Sequence, residues 1–374
     1  MIQSKYSKYP LLLLALLFAT AACEKVITLD TERYIPKIVM NGILSPDSLI
    51  EIKVSKSFLY TDTTPNRNLM ERASLTLFVN NMEVEKLRMV RVDTIKGHDR
   101  LFDYTALVSV YRSSVYPKAG DRVRVEASAV GYPTAWAETT VPIPPVIHSV
   151  DTATFITKRS IIKNDPHTPP TEAKAFQNMR IKMEVSGGTP NANQHFLLQA
   201  RIMTEEIEKY PNIPTRYLYL FTDDDPIFEE SHRHSLVEDV ITEGAELKGV
   251  RQYDAALFSN KRFRDNRYTL DFSVSNFYCY HITYEEQEWG LPVKKELFLN
   301  PPIEVLFTAV SPELYPYYKR RYDDPNSDRE SIQTISEPEL TYSNVKNGIG
   351  VVGAIASAKA RIKIPPYPFE EVEP

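Results

Sequence analysis

Between residues 35 and 141, apolar and polar positions alternate in short runs, which predicts strands with one buried and one wet face. Residues 35–45 (IPKIVMNGILS) open the series. Residues 48–58 follow, with Leu49, Ile50, Ile52, Val54 and Phe58 mostly alternating with polar neighbours. Asn41-Gly42 reads as a turn or a bulge, and Ser45-Pro46-Asp47 as a turn. The same texture returns at 74–79, 104–110, 122–129 and 134–141. In RVRVEASA, Val123, Val125 and Ala127 form one face, and Arg122, Arg124 and Glu126 the other. Strands at this spacing fit an immunoglobulin-like or transthyretin-like β-sandwich.

The pattern breaks at 141–146 (VPIPPV), where three prolines remove backbone donors and hold the chain extended. Longer, more aromatic strands are expected beyond it, at 176–185, 195–204, 216–221, 268–275, 278–284 and 303–310, with polar loops at 163–171 and 222–230. One helix is expected at 312–322, with Ser311 as N-cap and Pro312 at the first helical position. The expected fold is therefore mainly β: a sandwich over 34–143, then a larger β-rich domain over 144–365 with one or two short helices, and a tail at 366–374.

The N-terminus follows a different rule. Lys5 and Lys8 precede an apolar run from Leu11 to Ala22, and the small residues Ala21 and Ala22 lead directly to Cys23. The run is far shorter than the roughly 20 residues that cross a bilayer, so it reads as a secretory signal over 1–22. A thiol at that junction is the acceptor for a diacylglycerol, and the amino group freed by cleavage takes a further chain; each buried methylene then contributes about 0.8 kcal/mol to attachment. Cys23 is thus the expected lipidation site, the covalent lipid the only expected cofactor, and 23–33 the tether. An ordinary secretory signal with a chance cysteine is the alternative.

Cys279 is the only other cysteine, so an acylated Cys23 leaves no intramolecular disulfide and the fold must rest on buried apolar surface. Of the 44 Lys and Arg, Lys5 and Lys8 belong to the signal, which leaves 42 against 49 Asp and Glu. A mildly acidic body argues against a nucleic-acid partner.

These landmarks together resemble the Bacteroidota lipoprotein family catalogued as domain of unknown function 4249. The likeness lies in the cysteine-started tether leading into IVMNGILS (38–45) and in the closing segment SNVKNGIGVVG (343–353). It extends to LFSNKRFRDNRYTL (257–270) and to the helix at 314–318 after a strand containing Phe307. The resemblance implies an outer-membrane lipoprotein, often encoded near TonB-dependent receptors, and carries no catalytic residues with it. It makes the outer membrane, through the lipid, and a TonB-dependent receptor the expected partners.

No local motif argues for an enzyme. Gly348-Ile349-Gly350-Val351-Val352-Gly353 matches a dinucleotide fingerprint, but no βαβ unit can follow it, so it reads as a glycine-rich final strand or bulge with close backbone packing. His232 and His234 lie near Asp223, Asp224, Asp225, Glu229 and Glu230, a group that reads as a solvated acidic loop rather than a metal site. Cys279 and His281 share a strand face and read as structural. Glu285, Glu286 and Glu288 before Trp289 lack the separation in space that glycosidic chemistry requires. Tyrosine, with 22 copies, is abundant, and its flat apolar face and hydroxyl suit recognition, although core filling explains most of the rings. Trp289, Tyr219 and Tyr284 are the candidate ligand-binding residues. The leading expectation is a ligand- or partner-binding accessory to TonB-dependent nutrient uptake; the alternatives are an adhesion or envelope-assembly lipoprotein and an accessory glycan or peptide hydrolase.

Overall fold

The computed structural model describes residues 35–58, 68–70, 72–99, 102–163, 171–190, 192–203, 216–222, 224–231, 255–288, 291–299, 302–323 and 342–364. At 96–99, 102–106, 155–163, 171–177, 216, 230–231, 275–288, 291–299 and 321–323 it describes the backbone alone.

In chain order the strands are β1 (Ile38–Leu44), β2 (Glu51–Lys56), β3 (Ala73–Val79), β4 (Met82–Lys86), β5 (Arg88–Asp99), β6 (Phe102–Arg112), β7 (Arg122–Ala129), β8 (Ala135–Thr140), β9 (Val146–Lys163), β10 (Thr171–Ser186), β11 (His195–Ile202), β12 (Arg216–Tyr217), β13 (Tyr219–Phe221), β14 (Ala256–Ser259), β15 (Arg267–Glu288), β16 (Leu291–Leu299), β17 (Ile303–Val310) and β18 (Val352–Ile362). Among the described residues one α-helix, α1 (Tyr315–Asp323), follows β17. The chain is mainly β, as its alternating pattern predicts.

The strands form three sheets. A nine-stranded sheet runs β12-β11-β17-β18-β1-β2-β6-β5, with β14 also on β11. A four-stranded sheet runs β4-β3-β7-β8, and a five-stranded sheet runs β13-β15-β10-β9 with β16 on β15. The long sheet is the common partner of the other two. Ile38, Met40, Ile50, Ile52 and Val54 cluster with Leu75, Leu77, Val123, Val125, Ala127, Ala135 and Ala137 of the four-stranded sheet. Phe196, Leu198, Ala200, Val305 and Phe307 cluster with Met179, Ile181, Met183, Leu270, Phe272 and Val274 of the five-stranded sheet. Side chains two apart on a strand share a face, so Val352 and Ala354 in the first cluster and Ile362 in the second place both cores on one face of β18. The opposite face is covered by Leu314 beside Leu197, Leu257 and Val351, with Tyr315 and Tyr318 of α1 packed on them. Each fully buried Val, Leu, Ile or Phe contributes about 1.5–3 kcal/mol, so these clusters are a main source of the fold's stability.

The first core draws on residues 38–141 and also on Val345, Val352 and Ala354 from the far end of the chain. β18 runs antiparallel to β17 but parallel to β1, with Gly42, Ile43 and Leu44 opposite Val352, Gly353 and Ala354. Just before it, Ile349 exchanges backbone hydrogen bonds with Ile38 and Met40, both at 2.9 Å. This approach is what the closing glycines permit. Gly350 has φ +118°, and a Cβ there would sit 2.0 Å from the Met40 carbonyl oxygen; one on Gly353 would sit 2.5 Å from Leu314 Cβ. The close-packed reading of that segment is thus what the structure contains.

Several local expectations shift. Asn41-Gly42 is neither turn nor bulge but lies inside β1, where Asn41 Oδ1 accepts from the Val351 N–H at 3.0 Å. The expected helix at 312–322 begins as a turn, and α1 proper starts at Tyr315. Ser311 still accepts the first helical bonds through its carbonyl, from Leu314 and Tyr315 at 3.0 Å. Its hydroxyl is diverted, accepting from the Ala354 N–H at 3.1 Å and meeting Thr139 Oγ1 at 3.1 Å, so it joins three elements instead of capping one. Strands expected separately at 268–275 and 278–284 are one strand, β15, and the register shift against β10 between Gln177 and Met179 falls opposite the gap.

Gly350→Ala should cost about 3 kcal/mol, because it adds left-handed strain to a backbone clash. Gly131 also has positive φ, at +84°, but nothing lies within 4 Å of its added Cβ. Gly131→Ala should therefore cost only about 1 kcal/mol, and urea denaturation midpoints for the two variants check the contrast.

Candidate functional site

Among the described residues, a cleft of about 480 Å³ is lined by Lys261, Arg262, Phe263, Arg264, Arg267 and Tyr268. Its residues come from one short stretch, shaped by a tight turn. Asp265 and Asn266 have φ of +49° and +61°, and Arg264 and Arg267 exchange backbone hydrogen bonds at 2.9 and 2.8 Å across them. Two consecutive left-handed residues make a type I′ hairpin turn, for which Asp and Asn are well suited. Asn266 Nδ2 donates to the Gly187 carbonyl at 2.8 Å and so pins the turn to the end of β10.

The same lining includes an aromatic floor. Phe263 stacks on Phe196 with centroids 5.6 Å apart and planes 3° apart, and Tyr268 follows Phe263 at 5.8 Å and 13°. Phe196 is fully buried and also packs on Phe258 and Phe307, so the floor is an extension of the second core. Aromatic pairs at such separations add about 0.5–1.5 kcal/mol beyond area burial, which holds the floor rigid.

The inner wall is set by Asp225, which is only 4% exposed. Its Oδ1 accepts from the Tyr268 hydroxyl at 2.6 Å and from the Ile227 N–H at 3.1 Å, and its Oδ2 accepts from the Asp271 N–H at 2.9 Å. Burial, and then the Asp225 carboxylate, push the Tyr268 hydroxyl well above its ordinary range, so it remains a donor at physiological pH. The Asp271 side chain forms a two-pronged pair with Arg180, Nε to Oδ1 and Nη2 to Oδ2 each at 2.8 Å. That guanidinium holds the Asp271 carboxyl below the usual carboxylate range, against the opposing effect of burial.

Two of the cleft cations have carboxylate neighbours: Arg262 Nη2 donates to Glu229 at 2.7 Å and Arg267 Nη1 to Glu184 at 2.8 Å. Arg264, exposed at the turn, has no ion-pair partner among the described residues.

The residues expected to bind ligand do not converge on this cleft. Tyr219 is 41% exposed on β13, opposite Ser275 of β15, seven positions along that strand from Tyr268. Tyr284 lies nine positions farther on, opposite Lys295 of β16, so at about 3.3 Å per residue these points are spread over roughly 50 Å. Trp289 and Cys23 lie outside the described residues, as do His232, His234 and Asp223. Among the described residues, no group of three His, Cys, Asp or Glu is placed to hold a metal ion. The acidic stretch expected as a solvated loop is only partly so: Asp224 is exposed, but Asp225 is buried because Tyr268 and two backbone N–H groups from other positions satisfy it. Cys279 and His281 lie in β15, paired with Ala175 and Ala173.

A family model described as Domain of unknown function (DUF4249) matches residues 24–361, beginning at the residue after Cys23. The chain belongs to this family. No curated protein matches the DUF4249 chain. Its cleft was visible in sequence only as four cations within seven residues around an Asp-Asn turn, a signal hidden by the acidic balance of the whole molecule. No helix among the described residues is long and apolar enough to cross a membrane.

Tyr268→Phe removes a donor from the buried Asp225 carboxylate and should cost about 1–3 kcal/mol of stability in denaturant titrations at neutral pH. Asp271→Asn tests the neighbouring pair by its pH dependence. A depressed folded-state value gives stability that is present above the unfolded value and lost as pH falls through the folded one. The gap between wild type and Asp271→Asn should therefore be widest at neutral pH and close below about pH 4, as read from thermal midpoints across pH.

Proposed function

We propose that the protein is a lipid-anchored component of the outer membrane that binds a ligand or a partner, rather than transforming one, as an accessory to a TonB-dependent nutrient uptake system. The observation that supports this reading is the cleft at 261–268, whose lining combines stacked aromatic rings with cationic side chains, a combination suited to recognition. Its volume of about 480 Å³ falls within the range of small-molecule sites, about 300–1,000 Å³. The exposed ring of Tyr219 offers a second recognition element on the same five-stranded sheet.

The mechanism is confinement. Acyl chains on Cys23 hold the body at the membrane surface, and the tether 23–33 reaches at most about 36 Å when fully extended, so ligand and receptor are met at high effective concentration. Labelled palmitate should enter the wild-type chain and be absent from Cys23→Ala, and mild solubilisation of the outer membrane should recover a TonB-dependent receptor with the protein. Absence of label together with a mature N-terminus at a residue other than 23 would overturn the anchor, and recovery with no receptor would overturn the accessory role.

A further inference from the structure

We propose that the cleft at 261–268 is a binding site for a phosphate monoester, with the phosphate among the cations and the organic part over the Phe263 and Tyr268 rings. This rests on the reading of the cleft as the recognition surface and names its ligand class.

The charge geometry carries the inference. Three guanidinium groups and one ammonium lie on a single concavity, where Glu229 pairs with Arg262, Glu184 pairs with Arg267 and the buried Asp225 carboxylate stands behind Tyr268. Arg262 and Arg267 each meet a carboxylate through one terminal nitrogen at 2.7 and 2.8 Å, and a guanidinium has five N–H donors. Each pair therefore occupies one terminal nitrogen and leaves further N–H donors on the same guanidinium. Arg264, from the apex side of the turn, adds an exposed guanidinium with no ion-pair partner among the described residues. A phosphate monoester carries about −1.5 to −2 charge near neutrality and three strong acceptor oxygens, which suits a cleft lined by several cations better than a monovalent carboxylate does.

The floor explains why the ligand has an organic part. Phe263 and Tyr268 lie nearly parallel, and the Tyr268 hydroxyl is engaged by Asp225 beneath, so these rings line the cleft with flat apolar surface. Bare inorganic phosphate would leave that surface wet. A sugar phosphate and the headgroup of a phosphorylated lipid share the required chemistry.

The test uses the full chain carrying Cys23→Ala, so that no acyl chain of its own reports as binding. Calorimetric titration with glucose 6-phosphate forms one arm, with glucose as the uncharged control. Flotation with phosphatidylcholine vesicles containing phosphatidic acid forms the other. Binding in either arm is expected to weaken at least tenfold in Arg264→Glu and to be retained in Lys118→Glu, which makes the same charge change on the first sandwich. It is also expected to weaken several-fold between about 0.05 and 0.5 M salt, since exposed charges are screened over a few ångströms at the higher value. Binding in the glucose 6-phosphate arm assigns a soluble ligand, and binding confined to vesicles assigns a lipid headgroup. Blank results in both arms, binding unchanged by Arg264→Glu, or equal loss in Lys118→Glu would overturn the proposal. Because Cys23 is replaced throughout, a failed titration leaves the membrane anchor standing, and failed palmitate labelling leaves the phosphate site standing.

Discussion

Two backbones meet without side chains between them where residues 349–354 run beside 38–44, and the architecture depends on that contact. The parallel pairing of β18 with β1 makes one sheet of what would otherwise be two separate edges, and the four- and five-stranded sheets both stack on the result. Gly350, with its left-handed backbone against the Met40 carbonyl, and Gly353, against Leu314, set how closely the strands and helix α1 approach. Ser311 then ties the junction laterally, through its carbonyl to α1 and through its hydroxyl to Ala354 and Thr139.

The cleft derives its rigidity from the same frame. Phe196 stands on β11 within the long sheet and carries the Phe263 and Tyr268 rings outward from the core. Asn266 fastens the turn to Gly187, while Asp225 holds Tyr268 and the start of β15. The cleft residues are thus mounted on aromatic packing that is continuous with buried structure.

Legibility followed the two-faced strands. Arg122–Ala129 was plain in sequence because Val123, Val125 and Ala127 face a core and the charged residues face water. Met82–Lys86 was not, because its Met82-Val84 alternation is only five residues long and buries neither side chain; β18 was visible only at its glycine-rich start, since the alanines and polar residues that follow give a weak apolar pattern. The pause between Ser275 and Tyr278 was a true signal given the wrong meaning, since the chain continues there through a β-bulge rather than a break. At the site, the turn chemistry of Asp265-Asn266 was written locally, but the burial of Asp225 was not: three successive aspartates read as wet until Tyr268, more than forty positions away, supplies the donor.

The union of β1 with β18 also dictates the order in which this molecule can be made. Asn41 and Val351 are 310 positions apart, so the first core lacks one of its walls until nearly the whole polypeptide has emerged. Contacts of such sequence separation form late because loop closure precedes their reward. A nascent N-terminal half is thereby kept from completing its native packing until the closing strand arrives.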